Sequence, residues 1–323
     1  MTRIVAIDIG GTHARFALAE VEDGRVLRLE APSTLKTAEH DGLEAAWKAF
    51  EAAAGRPLPP AAGIALAGPI RGERLKLTNS HWTIRPASIA ERLGVERFTL
   101  VNDFGAVGHA VAQLGDEHFA HLCGPEGPLP ETGVIGIVGP GTGLGVAQLI
   151  RGNGHYHVVE TEGGHMDFAP LDGVEDRILA RLRLRLGRVS VERVASGPGL
   201  ANLYEALAEI EGRDPIFRDE TVLWQAAVAG EDRHASAALD RFCLSLGAVA
   251  GDIALAQGAR AVVIGGGLGL RLAGLLPRSG FRHRFVAKGR FQGRMEEIQV
   301  KIVTHEQPGL FGAAAAFAAE HGK

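Results

Sequence analysis

IVAIDIGGTHARFALAEV, residues 4–21, is a β-branched apolar run that stops at Gly10-Gly11 and resumes as an alternating run. GVIGIVGPGTGLGVAQLI, residues 133–150, does the same. Each stretch predicts a strand, a glycine turn and a second strand. A third strand follows both copies: RVLRLE at 25–30, entered through the hairpin turn Glu22-Asp23-Gly24, and HYHVVE at 155–160. Aligning Thr12 with Thr142 puts the copies 142 − 12 = 130 residues apart. Two unrelated glycine hairpins would be the plainer reading. The order of elements favours a duplicated α/β domain with a cleft between its halves.

Outward from these stretches, periodicity predicts helices at about 42–54, 86–93 and 104–115, with strands at 62–67, around 73–77 and at 97–102. The chain after the second hairpin reads as helices at about 174–187, 198–211, 219–230 and 233–257. Strands at 260–264 and 298–303 and a helix at about 309–320 complete it. CGPEGPLPETG, residues 123–133, is the most linker-like segment. The expected domains are a small one, 1–108 with a returning C-terminal helix in 306–323, and a large one, 109–305.

Composition removes several classes. The charge is 34 − 38 = −4, without the basic excess of a nucleic-acid binder, and aromatics are only 6%. No apolar run reaches the ~20 residues of a crossing helix, and the N-terminus lacks a secretory pattern. Cys123 and Cys243 fit no metal spacing, so a reducing, cytoplasmic setting is expected. Glycine is in excess, 44 of 323 or about 14% against a usual ~7%. It clusters at 10–11, 139–145 and 265–269, each time after an apolar strand. Such turns present backbone N–H groups to a phosphate. None is a P-loop, because no lysine completes GxxxxGK[ST]. Gly139-Pro140-Gly141 and Gly265-Gly266-Gly267 both lack the last glycine of GxGxxG.

Asp8-Ile9-Gly10-Gly11-Thr12, with Arg15, resembles the first phosphate motif of the sugar kinase, actin and heat-shock chaperone ATPase superfamily. Gly139–Gly143 resembles its second phosphate motif, and Gly265-Gly266-Gly267 its adenosine motif. Within that superfamily the whole chain is similar to the bacterial glucokinase family. The local matches are Val101-Asn102-Asp103-Phe104, Glu162 to Pro170 (EGGHMDFAP), Glu192 to Gly199 (ERVASGPG) and Pro308-Gly309-Leu310. His13 stands where the family often has Asn. The resemblance implies a duplicated actin-like (ribonuclease H-like) ATPase fold and ATP-dependent phosphorylation of D-glucose at its 6-hydroxyl. It also implies a homodimer with no nucleic-acid or membrane partner. The zinc cluster of the related ROK kinases (repressors and kinases) is not matched, so Mg²⁺ without zinc is expected. A kinase for another hexose or amino sugar, or an actin-like ATPase that is no kinase, are the alternatives.

The resemblance also assigns residues, each with a plainer reading beside it. ATP falls to Ile7, Asp8, Ile9, Gly10, Gly11, Thr12, Gly141, Thr142, Gly143, Gly265, Gly266 and Gly267. Asp8 has Gly139 as its counterpart in the second copy, so one carboxylate is available to one Mg²⁺, directly or through water; otherwise it is a turn residue. Asp103 is implied as the catalytic base, and as an N-cap it would simply close a helix start. Asn102, Asp103, Glu162, His165 and Glu192 are implied sugar ligands, with Asn79 and Trp82 as further candidates. Without that role His165 is a surface residue and Glu192 a first-turn acid after a Ser190 cap.

Overall fold

The computed structural model describes residues 1–68, 70–77 and 80–322. Two compact units emerge, Met1–Gly115 with His305–Lys323, and Asp116–Thr304.

The first unit runs β1 (Thr2–Ile9), β2 (His13–Glu22), β3 (Arg25–Leu29), β4 (Ser33–Lys36), α1 (Leu43–Ala54) and β5 (Ala61–Leu66). Short β6 (Leu75–Lys76) and β7 (Thr83–Ile84) pair with each other, followed by α2 (Ile89–Leu93), β8 (Arg97–Asn102) and α3 (Asp103–Gln113). The sheet order is β3-β2-β1-β5-β8, with β4 beside β2. β1, β5 and β8 are mutually parallel, and the hairpin strands are antiparallel. β5 is buried along its whole length, as a central parallel strand must be, whereas edge strand β3 is largely exposed.

The second unit holds β9 (Phe119–Cys123), β10 (Gly133–Pro140), β11 (Leu144–Gly152), β12 (His155–Thr161) and helices α4 (Gly173–Leu186), α5 (Gly197–Ile210), α6 (Glu220–Ala229) and α7 (Arg233–Gln257). Then come β13 (Ala261–Ile264), α8 (Gly266–Arg271), α9 (Phe281–Val286), α10 (Gln292–Glu296) and β14 (Gln299–Val303). Its sheet is β12-β11-β10-β13-β14-β9, so a hairpin pair followed by two parallel strands repeats the first sheet. α11 (Pro308–His321) returns to the first unit and packs on α3. Gly312 permits that approach, since a Cβ there would lie 1.8 Å from the Ala106 carbonyl oxygen.

The duplication extends to the turns. Asp23-Gly24 and Asn153-Gly154 all have positive φ, the conformation that joins tightly twisted strands. Register explains an apparent slip in the repeat. Asp8 pairs with Arg15 and Ile9 with Ala14, leaving a four-residue loop. Gly139 pairs with Gly145 and Pro140 with Leu144, leaving three. The offset is therefore 131 before the loop and 130 after it, and Asp8 and Gly139 are true counterparts.

Some elements depart from expectation. The strand around 73–77 shrinks to β6, and β9 occupies the run just before the linker, added to the sheet by antiparallel pairing with β14. Strands β4 and β7 and helices α8 to α10 are additional. Among the described residues no helix is long and apolar enough to cross a membrane.

Candidate functional site

Alternation along β1 divides its residues between two faces. Ile7 and Ile9 are fully buried in the core, so only their backbone is left for a ligand. Asp8 faces the other way, 19% exposed, with Arg15 Nη1 at 3.3 Å from its Oδ2. Burial raises the Asp8 carboxyl above its usual range, opposed by the Arg15 charge. The first turn of α11 lies against this carboxylate: a Cβ on Gly309 would come within 3.0 Å of Oδ2. Helix N-termini favour such an anion. The loop Gly10–His13 is closed by the Gly10 N–H on the His13 carbonyl at 2.9 Å. It is held by Thr37, whose hydroxyl donates to the Gly11 carbonyl at 2.7 Å.

β8 delivers Asn102 and Asp103 to the start of α3. The cap is Asn102, not Asp103. Asn102 is extended (φ −63°, ψ 151°), and its Oδ1 accepts from the N–H of Phe104 at 2.8 Å and Gly105 at 3.2 Å. Its Nδ2 donates to the Gly68 carbonyl at 2.9 Å. Asp103 becomes the first helical residue, its carboxylate accepting from Phe104 N–H at 3.0 Å. Burial and then the neighbouring Asp8 charge push its carboxyl up to about 6. It is thus ionised at neutral pH yet basic enough to take a proton.

In the second unit, Glu162 precedes the tight turn Gly163–His165 and His165 ends it, both exposed. Ser190 makes no side-chain cap bond, and Val191–Arg193 is a single 3₁₀ turn, so no helix dipole accounts for Glu192. Instead its half-buried carboxylate accepts from the Leu144 N–H at 3.0 Å, just beyond the second glycine loop. Thr12 and Thr142 both stand exposed at their loop tips. Trp82 is a core residue, its indole N–H directed at the carbonyls of Thr37 (3.0 Å) and His40 (2.8 Å). Asn79 lies outside the described residues.

Beside the second loop opens a cavity of ≈ 670 Å³. Gly141, Thr142 and Gly197 line it together with Glu220, whose carboxylate lies against Gly197. Thr221, Trp224, Gln225 and Val228 from α6 and Leu268 and Arg271 from α8 form its walls. Its size suits a small organic ligand. The glycines 265–267 contribute indirectly: Gly265 N–H binds the Val138 carbonyl at 2.9 Å, and α8 grows from that turn. The α6 lining was missed in the sequence; its only signal is the i, i+3, i+4, i+7 spacing of those four residues.

The model of the family described as Glucokinase matches residues 5–320. The chain belongs to the glucokinase family. A glucokinase of Zymomonas mobilis is 63% identical over 315 residues, covering 98% of this chain and 97% of that one. The crystal structure of a glucokinase from an Antarctic psychrotroph superposes with a TM-score of 0.85 at 33% identity, covering 98% and 99% of the two chains. A ROK family glucokinase from Streptomyces griseus, solved with glucose and AMPPNP, shares the fold at 22% identity and a TM-score of 0.62, covering 97% and 98%. The α/β fold is that of the actin-like two-domain ATPases. In this glucokinase-family chain Asp8 is a largely buried carboxylate paired with Arg15, and the Asp103 carboxylate adds to the negative charge there; among the described residues no group of three or more His, Cys, Asp or Glu is gathered to hold a metal ion.

Proposed function

We propose that the chain transfers the γ-phosphoryl group of ATP to the 6-hydroxyl of D-glucose, yielding glucose 6-phosphate and ADP. The observation that carries this reading is Asp103, a carboxylate released from capping duty by Asn102 and raised to about 6 beside Asp8. A sugar hydroxyl is a poor nucleophile until a base accepts its proton, and Asp103 is that base. Glu162, His165 and Glu192 hold sugar hydroxyls, with Asn102 fixing the start of α3. Backbone N–H groups of the two glycine loops, with Thr12 and Thr142, bind the phosphates, and the α6–α8 cavity takes the adenosine. Asp8 would hold Mg²⁺, directly or through water, and the ion would offset charge on the transferred group. The reading includes a cytoplasmic homodimer; light scattering on the eluting protein tests the oligomer.

The function itself is tested by coupled ADP release across a panel of hexoses, amino sugars and phosphoryl donors. Glucose with Mg²⁺-ATP is expected to give the highest kcat/KM. A higher value for another sugar would move the assignment to that sugar. ATP hydrolysis indifferent to sugar would remove the kinase reading.

A further inference from the structure

Leu144 is where the sugar-side and phosphate-side residues of the second unit meet. Its N–H donates to Glu192 Oε2 at 3.0 Å. Its carbonyl oxygen lies against Gly164, where a Cβ would be only 2.0 Å away. The turn carrying Glu162 and His165 and the turn carrying Glu192 are therefore both seated on the first residue of β11. The other end of the loop is held too, by Gly197 N–H on the Gly141 carbonyl at 2.7 Å. Segment 192–197 thus grips the loop at Gly141 and at Leu144. Between those points lie only Thr142 and Gly143, and the turn is closed by Gly141 N–H on the Gly143 carbonyl at 2.8 Å. So short a loop has no slack to absorb a shift of Glu192. A backbone loop binds phosphate through the direction of its N–H groups, so a tilted peptide plane changes its grip.

We propose that Glu192 is a positioning residue that couples the two substrates. Through its bond to the Leu144 N–H, a sugar on Glu192 sets the conformation of the Gly141–Gly143 loop, and nucleotide on that loop tightens sugar binding in return. A carboxylate accepts at both oxygens, so Oε2 stays on Leu144 while Oε1 serves a hydroxyl. The coupling must be reciprocal, because it is a linkage between two binding equilibria. It rests on the assignment of Glu192 to sugar and of the loop to phosphate made above.

Gly143 gives the decisive variant, because a Cβ there would lie 2.5 Å from Glu192 Oε2. Gly143→Ala therefore pushes the carboxylate off the Leu144 N–H without removing any sugar-side side chain. The experiment is calorimetric titration of glucose into the whole protein, with and without saturating Mg²⁺ and a non-hydrolysable ATP analogue. The wild type is expected to bind glucose more tightly with the analogue, by a factor in the roughly 5–150-fold range of such couplings. His165→Ala should weaken glucose binding in both states and keep that factor. Gly143→Ala and Glu192→Ala should bring it close to one; if Gly143→Ala does not fold, Glu192→Ala carries the test. A wild-type factor of one, or a wild-type factor retained in Gly143→Ala or Glu192→Ala, overturns the coupling. If that retention comes with weak glucose binding in Glu192→Ala, the sugar assignment survives and the coupling alone falls. If neither Glu192→Ala nor His165→Ala weakens glucose binding without nucleotide, the sugar assignment fails and the coupling with it.

Discussion

The two glycine hairpins share strand order; they differ in loop length, four residues against three, and in the charge of one cross-strand pair. In the first, Asp8 faces Arg15; in the second, the equivalent residues are Gly139 and Gly145. The first hairpin therefore carries charge and lies beside Asp103, whose basicity Asp8 raises. The second is stripped of charge at that position and opens on a cavity walled by α6 and α8. Duplication supplied one hairpin frame twice. The proposed function assigns catalysis to the side of the charged hairpin and nucleotide binding to the side of the uncharged one. Variants in the first should then act on kcat, and variants in the second on the KM for ATP.

The sharpest break of that comparison is Asp8→Asn. Loss of the carboxylate proposed to hold Mg²⁺ is expected to lower kcat by on the order of 10²–10³. Higher Mg²⁺ should restore part of it, and a Mg²⁺ titration of turnover checks both. On the second hairpin's side, Arg271→Ala should raise the KM for ATP by about tenfold with kcat nearly unchanged. Steady-state kinetics would contradict the division of roles if Arg271→Ala acted on kcat instead.

The smallest effect is on stability. Asp103 binds its proton more tightly folded than unfolded, so its contribution is fully present below about pH 4 and is lost as pH rises through about 6. Asp103→Asn removes that loss. Its melting temperature relative to wild type should rise from pH 4 to pH 8, measured by calorimetry without Mg²⁺ or substrates.

Much of this was legible in the sequence because β-branched runs ending in glycine have one ready reading. RIVAIDI and GVIGIV became β1 and β10 at nearly their expected bounds. The strand STLK at 33–36 was not legible; it exists because β2 offers it an edge, which no local pattern announces. Asn and Asp cap helices almost equally well, so residues 102 and 103 could not be told apart until the backbone showed which was extended. The cavity wall was hidden for another reason. Trp224 and Arg271 are 47 positions apart in the chain, and only the packing of α6 and α8 brings them to one cavity.

The most direct test of the account is Asp103→Asn, measured for turnover and for glucose binding on the same preparation. The account predicts kcat lower by ~10²–10⁴ with glucose affinity nearly unchanged. Turnover close to wild type would contradict it.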